Sequence, residues 1–598
     1  MRDLFTIVLA VCLPAVAQPE ADARLESFLA DAGLAQARSD FRAAAGAYRR
    51  AVALRPDVAE LWSNLGLMQH KSGEYSEAAE TFRKALGLNP SLFVPNLFLG
   101  LDLLQLKRAR DAVPCLMAAH KLNPKDPQPA LALGRAFHTL WEPAKSREWY
   151  EWAVGLAPRN GEAWYGLGLA YFGLAEAAGA KLTGSFRESQ YASELLAAAM
   201  AEQGRQTEAI NAYRTVLAAR TAPPRCSHTS YGFVLMRNGD PADARKEFER
   251  DLESCPAARV GMARLLFESG KAETALSMLD ELASSDKKAF DAALARFWEG
   301  LDAQQLETRV AQLRRSTGSM AAIVSARLRE GVRSAPWLGP PQSVPQSVAQ
   351  SGSAAELAKS ASDAFFHGDF RTAALAGDCL RQKYPNDPAG WYWAVRADQK
   401  LGVDALARAG EVEPDSPAIH ALLGDLYRRR RMFDDARGEF EKILAVSPGN
   451  VAALGGLATT YLGEAKLDQA RTTAEKALAQ SPADGELNLL MGDILVAQRE
   501  YEKAEPYLAR SLHARPDLLA RVHALRGQVF ARTGHPKEAI RELTRGLASD
   551  EDGSVHYQLA RLYQEAGDVK AAAAAFDESK KIRAKQDALA REALTPVH

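Results

Sequence analysis

Prolines recur in this chain at one fixed interval, and this period restricts the possible folds more than any other feature of the sequence. The two series are Pro56, Pro90, Pro124 and Pro158, and then Pro414, Pro448, Pro482 and Pro516, with 34 positions between successive members. Repetition at such a period indicates an array of stacked units, each of which contacts mainly its neighbours, rather than one globular core.

Small and large apolar residues keep fixed positions within each period. In residues 64–90, NLGLMQHKSGEYSEAAETFRKALGLNP, Gly66 is followed by Ala78, Phe82 and Ala85. The last three are three or four residues apart and therefore share one face of a helix. Gly66 and Ala78 are small because two helices must cross closely at these positions. Each period therefore predicts a pair of packed helices.

The same segment also shows where the two helices end. Gly73 is suited to the left-handed conformation that stops a first helix. A second helix is predicted to run to about Leu88, because Asn89-Pro90 cannot continue it. A single helical hairpin cannot bury its apolar face alone, so the hairpins are expected to stack on one another.

The segment resembles the tetratricopeptide repeat. Its motif positions are filled by Trp62, Leu65, Gly66, Gly73, Tyr75, Ala78, Phe82, Ala85 and Pro90. Good copies begin near Ala59, Phe93, Pro127, Arg225, Pro417, Val451, Gly485, Ala520 and Gly553, and weaker ones near Leu25, Gln190, Pro256, Ala354 and Pro388. The resemblance covers most of the chain. It implies an all-α solenoid of helix-turn-helix units wound into a right-handed superhelix.

Departures from the repeat suggest how the array is divided. Residues 176–189 lack a clean second helix, and the hairpin after Trp391 is clipped near Gly402-Val403. The predicted organisation is an N-terminal block at 25–285, an irregular helical segment at 286–333, a Pro/Ser-rich linker at 334–355, and a C-terminal block at 356–598 that ends in a capping helix from Phe576 toward Leu594.

Residues 1–17, MRDLFTIVLAVCLPAVA, have the pattern of a secretory signal peptide. Arg2 precedes an apolar stretch that is too short for a lasting membrane anchor, and cleavage is expected near Ala17. Lipidation at Cys12 is an alternative, although Val11 is bulkier than the residue that normally precedes a lipidated cysteine. We therefore expect export to a bacterial periplasm or secretion, with no integral membrane segment after signal removal.

Charge composition bears on the class of partner. The chain has 74 Lys+Arg and 75 Asp+Glu, for a formal net charge of −1. A nucleic-acid-binding domain normally carries a basic excess, so the predicted partner is a protein or peptide rather than nucleic acid.

The cysteines predict one disulfide. Removal of Cys12 with the signal would leave Cys115, Cys226, Cys255 and Cys379. Cys226 begins the first helix of its copy and Cys255 ends the second, so the two are expected at adjacent ends of a hairpin, and export would supply an oxidising compartment. Two unpaired thiols are the alternative. A metal site at Cys226, His228 and Cys255 would lack a fourth ligand, so no metal is predicted.

The sequence offers no set of catalytic residues. It contains no His-Glu-x-x-His zinc motif, no phosphate-binding loop ending in Gly-Lys-Ser/Thr, no Cys-x-x-Cys pair and no Gly-x-Ser-x-Gly elbow. The prediction is therefore a non-enzymatic protein that needs no cofactor.

The resemblance implies a concave groove lined by first-helix side chains. In the N-terminal block these are Leu97, Leu101, Leu104, Leu131, Arg135, His138, Tyr165, Leu169 and Phe172. In the C-terminal block they are Asp425, Arg428, Arg429, Asp493, Arg532 and Arg561. The first set is mostly apolar and is expected to hold a peptide or partner helix. Packing of these leucines within the superhelix, or against the incomplete repeat after Gly168, is the alternative.

Three functions fit such an array. The first is an interaction scaffold, the second is a structural subunit of an envelope assembly or secretion complex, and the third is the recruiting arm of an enzyme such as a glycosyltransferase. The repeats run nearly to the last residue and leave no room for a catalytic fold, which favours the scaffold.

Overall fold

The computed structural model describes residues 17–219, 223–297, 308–309, 311–313, 320–324, 353–429, 432–514, 518–550 and 552–594. Within these ranges the regular structure is helical, without a β-strand, which confirms the predicted all-α class. The signal peptide lies outside the described residues except for Ala17. So do the predicted linker, except for 353–355, and much of the irregular segment, so the predicted block boundaries stay predictions.

Most helices before residue 297 form consecutive antiparallel pairs. They are α1 Ala17–Ala37, α2 Phe41–Leu54, α3 Ala59–Lys71, α4 Tyr75–Leu88, α5 Phe93–Gln105, α6 Ala109–Leu122, α7 Pro127–Thr139, α8 Pro143–Leu156, α9 Gly161–Ser185, α10 Gln190–Glu202, α11 Gln206–Ala218, α12 Ser227–Asn238, α13 Pro241–Asp251, α14 Pro256–Glu268, α15 Ala272–Ser285 and α16 Lys287–Ala293. Helix α9 stands apart because it runs for 25 residues, about twice the usual length.

The pattern resumes after the linker. The helices are α17 Ala354–Phe366, α18 Phe370–Lys383, α19 Pro388–Val412, α20 Pro417–Arg429, α21 Phe433–Val446, α22 Val451–Gly463, α23 Leu467–Gln480, α24 Gly485–Ala497, α25 Tyr501–Arg510, α26 Leu519–Arg532, α27 Pro536–Gly546, α28 Ser554–Glu565 and α29 Val569–Leu594. Helix α19 is also 25 residues long. The expected capping helix is the C-terminal part of α29.

Sequence periodicity located the first helices well. Apart from the copy near Leu25, each begins within two residues of its predicted start. Gly73 adopts a φ of 81° between α3 and α4, the left-handed conformation that stops the first helix. The chain therefore reverses at a glycine, a residue that readily adopts this left-handed conformation.

The core of a regular hairpin forms where a first-helix glycine faces a large side chain 16 positions later. A Cβ atom placed on Gly66 would lie 2.7 Å from the ring of Phe82. The same arrangement joins Gly100 to Leu116, Gly134 to Tyr150, Gly232 to Phe248, Gly424 to Phe440, Gly492 to Leu508, and Gly527 to Leu543. Only glycine leaves room for the partner side chain, which explains why these hairpins keep the period of the motif.

The described residues pack into two compact units. Unit 1 contains residues up to Ala177 together with Asp398–Val412, and unit 2 contains residues from Ala178 to Ala397 and from Glu413 onward. The cores of both units consist of buried first- and second-helix side chains, mostly Ala, Leu, Phe and Tyr.

In unit 1, the hairpin core at α9 differs from the regular one. Gly184 lies 16 positions after Gly168, and a Cβ atom on Gly184 would meet no atom within 4 Å. A Cβ atom on Gly168 would instead lie 2.8 Å from Cγ of Leu406 in α19. Residues 398–412 therefore occupy the position of the second helix that the sequence after Gly168 lacks.

In unit 2, the first part of α19 packs around a buried ion pair. Nη1 of Arg396 lies 3.9 Å from Oε1 of Glu194, and it also donates a hydrogen bond of 2.8 Å to the Tyr392 hydroxyl. The hydroxyl of Ser227 donates to the other oxygen of Glu194 at 2.9 Å. Burial raises the pKa of Glu194 to about 7. Burial by itself would lower the pKa of Arg396, but the adjacent Tyr392 and Glu194 raise it overall. Pairing with polar groups is what makes these buried charges tolerable.

Candidate functional site

The first helices that would line the groove are fixed at their starts by side-chain donors. The indole Nε1 of Trp62 donates to the carbonyl oxygen of Pro56 at 2.9 Å, six residues earlier. The same hydrogen bond joins Asn96 to Pro90, Trp164 to Pro158, Trp391 to Pro385, and Asn488 to Pro482. The proline ends the preceding helix, so its carbonyl needs a donor from outside that helix. The motif assigns Trp62 a position but does not indicate this hydrogen bond.

Two of the predicted groove residues belong to the core. Leu97 and Leu131 are each 5% exposed, and Leu97 packs in a cluster with Phe82, Leu103 and Leu116. The structure corrects their place in the groove set, because both side chains pack against the adjacent helix, whereas Tyr165 at the same motif position of α9 stays partly exposed. For Leu97 and Leu131, the alternative of packing within the superhelix agrees with their burial.

Phe172, another predicted groove residue, contacts a distant part of the same chain. Its ring lies 3.1 Å from the place where a Cβ atom on Gly402 would sit, so α19 of the same chain covers this end of the groove. No sequence pattern indicated this contact, because 230 positions separate the two residues. Phe172 is partly exposed, and part of its ring packs on α19 within unit 1.

Besides Phe172, six residues of the predicted set are partly exposed, and we call these six the first-helix face. They are Leu101, Leu104, Arg135, His138, Tyr165 and Leu169. Leu101 and Leu104 rest on the core cluster of α4–α7 while keeping part of their surface in solvent. The face therefore combines four large apolar or aromatic side chains with two basic ones, on three successive first helices.

The two basic groups of this face differ in their surroundings. Nη1 of Arg135 lies 3.6 Å from Oε1 of Glu162, and both side chains are close to half exposed. Such a pair contributes little stability, so Arg135 can readily exchange its partner. Burial lowers the pKa of His138, which makes it neutral near pH 7. Arg135 is thus the charged group of the first-helix face.

A buried polar pair supports the neighbouring first helices α3 and α5. Nδ1 of His70 lies 2.5 Å from Oδ1 of Asp102, whose carboxyl is fully buried. Burial raises the pKa of Asp102, against the opposing effect of His70. The His70 ring also makes edge contacts with Tyr75 and Phe98. This pair, which the motif did not indicate, orients α3 on α5 beside the first-helix face.

Several charges of the C-terminal set are paired with a charge of the same repeat or of the next one. Asp425 pairs with Arg428 at 3.0 Å, Asp493 with Arg521, and Arg561 with Glu565 at 3.6 Å. Arg532 is exposed, and the side chain of Arg429 lies outside the described residues. This set presents paired charges where the N-terminal set presents apolar side chains.

Cys226 and Cys255 are joined by a disulfide with a Cα–Cα distance of 5.6 Å, within the usual range. Both are buried, and Cys226 adopts a left-handed φ of 66° at the start of α12. Nδ1 of His228 contacts Glu247 at 2.7 Å. Among the described residues no group of His, Cys, Asp and Glu is arranged to hold a metal ion. That the purified protein contains this disulfide stays a prediction.

No helix in the described part of the chain combines the length and the apolar character that crossing a bilayer requires.

Comparisons with known sequences bear directly on the repeat. One family model described as tetratricopeptide repeat matches residues 29–92, 99–160 and 525–588, and two others with the same description match 462–529 and 256–281. The chain is similar to the E3 ubiquitin-protein ligase CHIP of Arabidopsis thaliana, with 32% identity over 129 residues. The match covers 20% of this chain and 42% of that protein, less than half of its length.

Solved structures match between about a quarter and a third of the chain. MamA of Desulfovibrio magneticus RS-1 is 23% identical and covers 25% of this chain and 83% of its own, with a TM-score of 0.24. The protein TTC0263 of Thermus thermophilus is 22% identical and covers 30% of this chain and 98% of its own, with a TM-score of 0.24. The family models match repeats in both halves of the chain, and in the regular hairpins a first-helix glycine contacts the residue 16 positions later. By these criteria the chain is a tetratricopeptide-repeat protein.

Proposed function

We propose that this protein is a non-catalytic scaffold that binds a peptide or helix of a partner protein along the first-helix face. The observation that carries the proposal is the partial exposure of Leu101, Leu104, Tyr165 and Leu169 beside fully buried neighbours. Tetratricopeptide repeats typically serve as protein-interaction modules. Large apolar side chains kept partly in water on successive helices are typical of a protein-binding surface.

The composition of the face defines the partner's chemistry. Four apolar or aromatic side chains favour an apolar or amphipathic segment, held by removal of its apolar surface from water. Arg135 would attract a carboxylate at the edge of that segment, since its present ion pair with Glu162 is long and exposed. The proposed partner is thus an amphipathic helix or strand with an acidic group.

We place this activity in a bacterial periplasm or outside the cell. Support comes from the signal-like residues 1–17 and from the pairing of Cys226 with Cys255, which an oxidising compartment would preserve. A permanent structural role in an envelope assembly or secretion complex is the alternative. It would use the same surface but would give a stoichiometric complex.

The test replaces Leu101 and Tyr165 together by Asp in the mature chain. Charges on this face should abolish capture of the partner from a bacterial envelope extract, as measured by quantitative mass spectrometry. Helical circular dichroism and the melting temperature should change little. The matched control is the double variant Met117→Asp and Leu122→Asp, which places two charges at exposed apolar positions of the second helix α6.

Two results would contradict the proposal. One is capture that survives the Leu101 and Tyr165 substitutions, which would place the site elsewhere. The other is a large fall in melting temperature with this variant but not with the α6 control, which would show that the face belongs to the core. Recovery of one partner at a fixed 1:1 ratio would favour the structural subunit, and several substoichiometric partners would favour the scaffold.

A further inference from the structure

The second-helix position of the repeat that begins at Gly161 is filled by a distant part of the chain. In regular hairpins the residue 16 positions after the first-helix glycine fills the space above that glycine. Gly168 has Leu406 there instead, with Cγ at 2.8 Å and Cδ2 at 2.9 Å from the position of a Cβ atom. Along the sequence, Gly168 precedes residues 298–352 and Leu406 follows them.

The contact is reciprocal and leaves little room for a Cβ atom on either helix. A Cβ atom on Gly402 would lie 3.1 Å from the ring of Phe172 and 3.2 Å from the carbonyl oxygen of Gly168. The two backbones therefore approach directly, glycine against glycine. We call Gly168 and Phe172 the acceptor face, and residues 398–412 the completing helix.

Burial along the completing helix follows one face. Asp398, Gly402, Ala405 and Ala409 are buried and are spaced four, three and four residues apart, as expected for one side of a helix. Val403 points away from this side and is 54% exposed. The stripe of small residues allows the close approach, and Leu406 beside it supplies the apolar side chain that the repeat lacks.

In unit 2 further contacts connect the same two parts of the chain. Arg225 forms an ion pair with Asp363 and lies over the ring of Phe366, 5.5 Å from its centroid. Nε2 of His367 lies 2.9 Å from Oδ2 of Asp286. Together with the buried pair of Arg396 and Glu194, these contacts join residues before 298 to residues after 352.

We propose that the acceptor face is a helix-binding site whose ligand is the completing helix, so that residues before 298 and residues after 352 bind each other without needing the peptide link between them. The ligand is a helix with Gly402 at the crossing point and Leu406 one turn later. The predicted linker then sets the local concentration of the helix but not the contact itself.

The experiment places a specific protease site between Gln342 and Ser343 of the full-length chain. After complete cleavage in native buffer, the two fragments should co-elute in size-exclusion chromatography at about 1 μM total protein. Their helical circular dichroism should match that of the uncut chain. Urea is then added to find the concentration at which half of the fragments separate.

Two alanine variants of the same helix form the matched comparison. Gly402→Ala adds a methyl group against Phe172 and Gly168, whereas Gly410→Ala adds one where no atom lies within 4 Å. Both gain helix propensity equally. We expect Gly402→Ala to weaken association by about tenfold relative to Gly410→Ala, the usual effect of one overpacked methyl group. Leu406→Asp should weaken it further, while Val403→Asp on the exposed side should not.

Three outcomes would overturn the proposal. They are separation of the fragments on cleavage in native buffer, equal effects of Gly402→Ala and Gly410→Ala, and equal effects of Leu406→Asp and Val403→Asp. Circular dichroism of the uncut Leu406→Asp variant shows whether it folds. If it does not fold, the comparison of Gly402→Ala with Gly410→Ala still decides the test. None of these outcomes depends on the partner of the first-helix face, so this inference and the proposed function fail independently.

Discussion

The hairpins between Ala59 and Leu156 and the long helices α9 and α19 begin with the same motif but complete their cores differently. In the regular hairpins, the side chain that fills the space above the first-helix glycine follows 16 positions later, as Phe82 follows Gly66. In α9 the filling residue comes from α19, more than two hundred positions away. The start of a repeat thus specifies a first helix, but it does not specify which segment packs on it.

The sequence shows why these two helices cannot complete themselves. Gly184 stands where α9 would need a large apolar residue, so folding back would bury no side chain over Gly168. In α19 the glycine position is taken by Val395, and the residue 16 positions later is the charged Glu411. Helix α9 thus has the first-helix glycine but no large side chain 16 positions later. Helix α19 has neither the glycine nor an apolar side chain at the second position. Each continues straight for 25 residues instead.

The largest expected effect comes from shortening the large side chain that packs over the first-helix glycine, in a regular hairpin and in the core shared by α9 and α19. Phe440 is buried between Gly424 and Gly456, where Cβ atoms would lie 2.8 and 2.4 Å from its ring. Phe440→Ala should lower the free energy of unfolding by about 3–5 kcal/mol. Leu406→Ala should cost only about 1–2 kcal/mol, because Leu406 is partly exposed. Urea unfolding followed by circular dichroism measures both, and an equal cost would erase the distinction between the two cores.

Local features of the fold followed from the sequence, and long-range ones did not. Periodicity predicted the first helices, and Gly73 predicted the end of one of them. The pairing of Gly168 with Leu406 has no sequence signal, because a glycine shows that space exists without showing what enters it. Among the predicted groove residues, the motif could not separate buried Leu97 from partly exposed Leu101, since both are leucines four positions apart on one helix. Burial of that kind depends on the neighbouring helix.

The next effect concerns a region that closes by a covalent bond. The disulfide of Cys226 and Cys255 spans 29 positions, and replacing both cysteines by serine should cost about 3–4 kcal/mol in the chain-entropy account. Mass spectrometry of a non-reduced digest should find the two peptides linked in protein from the exported compartment. Cys379→Ser is the control, because Cys379 is free. Two free thiols in that protein would show that this hairpin closes without the bond.

A smaller effect depends on pH and distinguishes the completing helix from regular second helices. Burial raises the pKa of Asp404 from its usual value near 3.8 to about 6, against a weaker opposing effect of Lys400. The folded state then holds more protons than the unfolded state between about pH 4 and 6, so stability falls as pH rises through this window. Asp404→Asn should remove this slope and raise stability near pH 7 by about 1 kcal/mol, after allowance for partial exposure.

Urea unfolding of Asp404→Asn and the unchanged chain at pH 4, 5, 6 and 7 measures this difference. The control is Asp111→Asn on the regular second helix α6, where the carboxylate forms an exposed pair with Arg108. Parallel pH profiles for Asp404→Asn and the unchanged chain would show that the carboxyl of the completing helix is as well solvated as one on a regular hairpin.

The smallest effect tests what the two kinds of hairpin share. Trp164 lies in the first turn of α9, and Trp62 lies in the first turn of the regular first helix α3. In both residues the indole Nε1 donates a hydrogen bond of 2.9 Å to a proline carbonyl six residues earlier. Replacing either by Phe keeps most of the ring and removes the hydrogen bond, so each variant should lose about 1 kcal/mol. The control Trp152→Phe, at a half-exposed position on α8, should change stability by less than about 0.5 kcal/mol. Equal losses at Trp62 and Trp164, measured by urea unfolding, would show that the regular and the divided repeats are built alike up to the first-helix glycine. A loss at Trp62 alone would mean that α9 already differs at its first turn, so its dependence on α19 would not come only from the missing filler at Gly184.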